Sequence, residues 1–133
     1  MRDLHFPPRE LAVMSSLWKR GRATVAEVRA DLHEDLAYTT VLSALQTLEE
    51  KGYVSHVVDG RAYRYFALVP AEHAGGSALE RIRKSIFQGS ASRLFAQLVA
   101  DRSLSPKELE LMKATLLARL KQSRSAGSTR GGE

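Results

Sequence analysis

The sequence predicts a mostly α-helical protein carrying one small β-hairpin, and three observations lead there. Three segments of helical periodicity follow one another between Pro8 and Lys51, two alternating β-prone runs meet around Asp59-Gly60, and helical periodicity returns beyond Pro70. The 133 residues fit one ordinary domain, or a small domain with an appendage, and exclude a multidomain enzyme. With 44% hydrophobic and 26% charged residues, the chain has enough apolar side chain to bury a core.

Pro7 and Pro8 open the first helix, about 8–20, in which Leu11, Met14, Leu17 and Trp18 recur at helical spacing and which Gly21 stops. Trp18 reads there as a core residue. Thr24-Val25-Ala26-Glu27 has the spacing of a capping box, the hydroxyl accepting from the backbone at Glu27 while the carboxylate reaches back. Val25, Val28 and Leu32 give that short second helix its apolar face. From about Tyr38 to Lys51, Val41, Leu42, Leu45 and Leu48 form one stripe, and Gly52 stands where a left-handed cap is wanted.

Alternation then replaces the helical period. The runs 53–58 and 62–68 are joined around Asp59-Gly60, which accepts the positive φ angles of a hairpin turn, and Pro70 closes the pair. Beyond it, Gly75 and Gly76 make a soft start for a helix carrying Leu79, Ile82, Ile86 and Phe87, which Gly89 ends. Ser90 is placed to cap a second helix with Leu94, Phe95, Leu98 and Val99. Ser105-Pro106-Lys107-Glu108 is the strongest start signal of this half, followed by Leu109, Met112, Leu116, Leu117 and Leu120. After Gln122 no apolar residue larger than alanine occurs, which predicts a disordered tail. The expected organisation is a head over 1–70, a helical region over 71–122 and a tail over 123–133.

The formal charge of +5 invites a nucleic-acid reading, yet its distribution matters more than its sum. Up to Pro70 nine basic side chains meet nine acidic ones, and after it eleven meet six. Locally, Lys19, Arg20 and Arg22 cluster, Arg61 and Arg64 flank the hairpin turn, and Asp31, Glu34 and Asp35 form an acidic knot. The absence of cysteine excludes a disulfide frame, a thiolate metal site and a cysteine nucleophile. No apolar run approaches the ~20 residues of a membrane span and the start lacks a signal-peptide stretch, so a cytoplasmic protein is expected.

Helix, helix, helix, hairpin with short connections is the order of a winged helix-turn-helix. The stripe of the third helix leaves Thr39, Thr40, Ser43, Gln46, Thr47 and Glu50 facing outward, a small and mostly uncharged face. Such a face either is merely solvated or lies against base edges, to which Thr, Ser and Gln offer hydrogen bonds and methyl contacts. The topology favours DNA, because this helix is the one that enters the major groove. Arg22, Arg61 and Arg64 are the accompanying candidates for backbone phosphate, although arginines on an edge hairpin also serve solubility. Tyr63 and Tyr65 share a strand face and read as structural.

Taken together, Glu10, Met14, Leu17 and Trp18, then Tyr38-Thr39-Thr40-Val41 with Leu45, Leu48 and Lys51-Gly52, then Gly60-Arg61-Ala62-Tyr63-Arg64-Tyr65, resemble the penicillinase repressors of the BlaI/MecI type, a bacterial winged-helix group. The resemblance runs from Glu10 to about Lys121. It implies a homodimeric repressor of palindromic operators, often encoded beside a membrane-bound sensor peptidase that responds to β-lactams. Helix three matches the family's recognition helix and Arg61 its wing. Members controlled by a downstream protease are cut at an asparagine–phenylalanine bond, where this chain reads Phe95-Ala96-Gln97-Leu98-Val99; Gln97-Leu98 is the corresponding candidate. Copper-responsive relatives carry a cysteine cluster that this chain lacks.

A single head reads one half-site, and two heads on a two-fold axis reach major-groove faces roughly 34 Å apart. The C-terminal helices have little core of their own and must bury Leu94, Leu98, Leu109, Met112, Leu116 and Leu120 against something. A second copy is the simplest partner; the chain's own head is the alternative. Three other functions compete with the repressor. Catalysis finds no phosphate loop, no nucleophile elbow and no paired carboxylates, with histidines scattered at 5, 33, 56 and 73. A ligand or metal sensor would use His33 with Asp31, Glu34 and Asp35, which read better as a polar capping turn. A winged helix that binds only protein is the third.

Overall fold

A computed structural model describes residues 4–131, with side chains described through residue 126. Among these residues the elements run α1 (Pro8–Arg20), α2 (Val25–Asp31), α3 (Tyr38–Glu50), β1 (Val54–Asp59), β2 (Ala62–Ala67), α4 (Ala71–Ser85), α5 (Ala91–Val99) and α6 (Pro106–Gly131). The chain divides into two compact units, one up to Ile82 and one from Arg83. The division falls inside α4, beyond the Pro70 boundary expected from sequence.

The first unit is built on one core. Val13, Met14 and Leu17 of α1, Val25 and Val28 of α2 and Val41, Leu45 and Leu48 of α3 meet Val54 and Tyr65 of the hairpin. Burying each aliphatic side chain contributes about 1.5–3 kcal/mol. The α1 face is rotated from the sequence reading: Val13 is fully buried, whereas Leu11 is 45% exposed. The capping box of α2 is complete, with Thr24 Oγ1 accepting from Glu27 N at 3.2 Å and Thr24 N donating to Glu27 Oε1 at 2.9 Å. At the end of α3, Gly52 takes φ +84, which a side chain would strain.

The hairpin pairs antiparallel from Val54–Ala67 to Asp59–Ala62, with Gly60 at φ +64 in the turn. Ala23, between α1 and α2, adds an isolated bridge to Tyr65, through bonds of 3.0 and 2.8 Å. The wing is thus tied back to the helices. The chain before α1 adds to the core what the periodicity did not reveal: Leu4 and Phe6 are buried, and Phe6 meets Trp18 and Tyr53 edge to face. Trp18 Nε1 donates to the Val69 carbonyl at 2.8 Å.

Helix α4 does not start at Gly75-Gly76; it begins at Ala71 and passes through both glycines. Tertiary contacts override the weak propensity. Ala74 is buried, Ser77 Oγ accepts from Leu4 N at 3.2 Å, and Arg81 donates to the Leu4 carbonyl at 3.0 Å. The helix ends at Ser85, ahead of Gly89, which takes φ +86 in the following turn.

In the second unit, Ser90 caps α5 by accepting from Arg93 N, and Ser105 Oγ accepts from Glu108 N at 3.1 Å at the start of α6. Helix α6 continues through Gly131, across most of the stretch where composition predicts a disordered tail; positions 132 and 133 lie outside the described residues. Extending a formed helix costs far less than nucleating one, and no proline interrupts the stretch. No side chain described in α5 or α6 is fully buried. Leu98, Leu109, Leu116 and Leu120 are exposed, and Leu94 and Met112 are half-buried.

Candidate nucleic-acid interface

The orientation of α3 follows from its buried stripe. With Val41, Leu45 and Leu48 in the core, Thr39, Ser43, Gln46, Thr47 and Glu50 are exposed, as the wheel predicts, whereas Thr40 is half-buried. Ala37 at the N-cap supplies no side-chain acceptor and the first turn holds no acidic residue, so neither the cap nor the first turn of α3 neutralises the positive end of the helix dipole. Short hydroxyl side chains leave room there for a close approach.

The wing is fixed to one flank of this face. His56 of β1 lies with Nδ1 2.8 Å from Glu49 Oε1 of α3, stacks on Tyr63 at 4.5 Å and tilts against Tyr65 at 5.3 Å. Tyr65 is 2% exposed; burial pushes its hydroxyl's pKa up, and the Glu49 charge adds to this. Tyr63, on the same strand face but nearer the tip, is half exposed. The Glu49–His56 clamp was invisible to sequence reasoning, which found His56 only as one of four scattered histidines.

The three candidate arginines fare differently. Arg61 at the tip is exposed and pairs with no described side chain, which leaves its five donors available. Arg22 is exposed, its guanidinium 5.4 Å from the Phe66 ring centre. Arg64 is engaged: its Nε donates to Asp59 Oδ2 at 2.6 Å and a terminal nitrogen donates to Glu27 Oε1 at 3.4 Å. Both carboxylates raise its pKa, Asp59 more than Glu27.

The local basic cluster is likewise smaller than the sequence suggests. Arg20 grips Asp31 with two donors, at 2.7 and 2.8 Å, and Ser16 Oγ donates to the same carboxylate at 2.7 Å. Those hydrogen bonds, Arg20's first, hold the Asp31 carboxyl well below the usual carboxylate range. Within the acidic knot around His33, Asp31 is committed to Arg20 and Glu34 stands 3.5 Å from Arg9. Among the described residues no three His, Asp or Glu side chains converge to hold a metal.

An outward α3 face of small hydroxyls, a wing held beside it and a helix-turn-helix below them agree with the family model that the chain matches, the penicillinase repressor, over residues 7–118. The chain belongs to the penicillinase repressor family. A curated relative, the transcriptional regulator BlaI of Mycobacterium tuberculosis, strain H37Rv, is 48% identical over 59 residues, 42% of this chain and 43% of the relative; the BlaI of strain CDC 1551 matches equally. This penicillinase repressor family member thus spans about two-fifths of the length of the curated relatives it matches.

Solved structures carry the same fold at low identity. A MarR family protein from Bacillus stearothermophilus aligns with a TM-score of 0.53 and 20% identity, over 92% of this chain and 77% of that one. The transcriptional regulator Tm0710 from Thermotoga maritima aligns with a TM-score of 0.51 and 19% identity, over 90% and 77%. No helix among the described residues is long and apolar enough to cross a membrane.

Proposed function

We propose that this protein is a sequence-specific DNA-binding transcriptional repressor, acting as a homodimer on a palindromic operator. The observation that carries the reading is the α3 face: Thr39, Thr40, Ser43, Gln46 and Thr47 point away from a stripe locked in the core, with the wing held beside them. Hydroxyl and amide groups on this face read base edges, and each good base contact discriminates by about 1–3 kcal/mol. Arg61 reaches phosphate from the wing tip and Arg22 does so from beside Phe66, nearer the base of the hairpin; Arg64 orients the wing through Asp59 and Glu27. Membership of a repressor family supports the same reading.

The exposed leucines of α5 and α6 support the dimer. A unit with Leu98, Leu109, Leu116 and Leu120 on its surface gains by covering them, and a second copy presents the identical patch. Two heads then engage two half-sites, and a promoter occupied in this way is closed to polymerase. Release follows from scission between Gln97 and Leu98, both exposed on α5; a protease that takes extended substrate has to open this nine-residue helix first. A membrane-bound sensor peptidase, or a protease downstream of it, is the partner that this regulation requires.

The test is a fluorescence-anisotropy titration against a duplex from the gene's own upstream region, with scrambled duplex as competitor. Nanomolar binding at two protomers per site, surviving the competitor by about 10³-fold, is expected, and Thr40→Glu with Ser43→Glu abolishes it. Equal affinity for scrambled duplex, or binding unaffected by the glutamates, overturns the proposal in favour of a non-specific DNA-binding or a protein-binding module.

A further inference from the structure

An open notch of about 460 Å³ lies where the start of α1 meets the recognition helix, lined by Arg9 and Glu10 on one side and by Thr39, Thr40, Ser43 and Thr47 on the other. Nothing in the chain's periodicity singles out Arg9. Its guanidinium pairs only loosely with Glu34, at 3.5 Å, with the two side chains 50% and 64% exposed, a geometry that contributes little. Glu10, the acid in the wall, is neutralised by Lys51 Nζ at 3.0 and 3.3 Å. The notch thus combines one displaceable cation, a cancelled carboxylate and several hydroxyl donors.

Its position on α3 gives it meaning. At about 100° per residue, Thr47 in the notch and Glu49 under the wing point about 160° apart around the helix axis. The outward face therefore has the wing on one flank and Arg9 on the other. A helix lying in the major groove has one phosphate backbone on each side.

Resting on the DNA-binding reading, we infer that Arg9, on the α1 wall of this notch, forms a seat for a backbone phosphate of the strand opposite the one that the wing contacts. Glu34 is the loose partner of the guanidinium in the free protein and competes with the phosphate for it. The two members of this ion pair consequently have opposite effects on DNA binding.

The experiment measures operator affinity against salt for the full chain, as wild type, Arg9→Gln, Glu34→Gln and the double variant, with Arg61→Ala and Thr40→Glu in parallel and thermal melts as folding controls. Arg9→Gln is expected to weaken binding about tenfold and to lower the salt slope by about 0.9 per protomer. Glu34→Gln strengthens binding several-fold, and the gain vanishes in the double variant. If both single variants weaken binding, or Arg9→Gln leaves affinity and slope unchanged while Arg61→Ala and Thr40→Glu impair them, the seat is refuted and the repressor reading stands. If the wild type has no duplex affinity, both fall.

Discussion

Replacing Leu45 by alanine tests the geometry on which the interface depends. Leu45 is fully buried at the middle of α3, between Val41 and Leu48, and its removal leaves a cavity that the surrounding helices only partly close. Such truncations cost about 2.7–5 kcal/mol, the lost transfer energy plus the cavity. At about 0.05–0.15 kcal/mol per residue, the unit Met1–Ile82 has roughly 4–12 kcal/mol in total. A loss of about 3 kcal/mol then lowers its melting temperature by about 12–24 °C. Trp18, the only tryptophan, sits on α1 against Phe6, so its fluorescence follows the unfolding of this unit alone. The companion substitution Ser43→Ala, two residues away on the exposed side, stays within about 0.5 kcal/mol. A Leu45→Ala loss below about 1 kcal/mol, or an equal loss at Ser43, would mean that α3 is rotated, and its outward face would have to be redrawn.

Other expectations follow from the same contacts. Asp31 and Glu27 both have depressed carboxyl pKa values, Asp31 through Arg20 and Ser16 and Glu27 chiefly through the Thr24 amide. The unfolded chain therefore takes up protons first, and the head keeps its full stability above about pH 5 and loses it as pH falls through the carboxylate range; urea midpoints at pH 7, 5, 4 and 3 measure this, and Asp31→Asn flattens the fall. Gly75 does not adopt a left-handed φ and a Cβ added there meets no atom within 4 Å, so Gly75→Ala stabilises α4 by about 0.8–1.0 kcal/mol, read from the melting temperature. Leu109→Glu with Leu116→Glu shifts the sedimenting mass from twice 14.7 kDa to 14.7 kDa and leaves the Trp18 melt in place.

What the sequence reveals here is what is local. The Thr24–Glu27 box, the Asp59-Gly60 turn and the stripe of α3 each depend on neighbours within one or two turns, and each was legible. Leu11 and Val13 were harder to separate, because two adjacent flanks of α1 are apolar and only the partners across the core decide which is buried. Leu4 and Phe6 lie in a short segment without a period, and the glycines of α4 were overruled by bonds to that same segment. In the site, the outward residues of α3 were readable because burial fixes their opposites. The ion pairs were not: Arg64 with Glu27 and Lys51 with Glu10 join residues 37 and 41 positions apart, and composition only counts such charges.

Glu27 joins two jobs that are usually separate. One carboxylate oxygen ends the open backbone at the start of α2 and also receives Arg64 from the wing, while the other faces Arg20 at 3.5 Å. One side chain thereby couples the start of a helix to a distant hairpin, alongside the Ala23–Tyr65 bridge and the Glu49–His56 contact. A change of wing sequence that drops Arg64 leaves the cap intact, whereas a change at Glu27 unsettles both at once. The wing's arginine can accordingly be exchanged while the helix-turn-helix beneath it keeps its register.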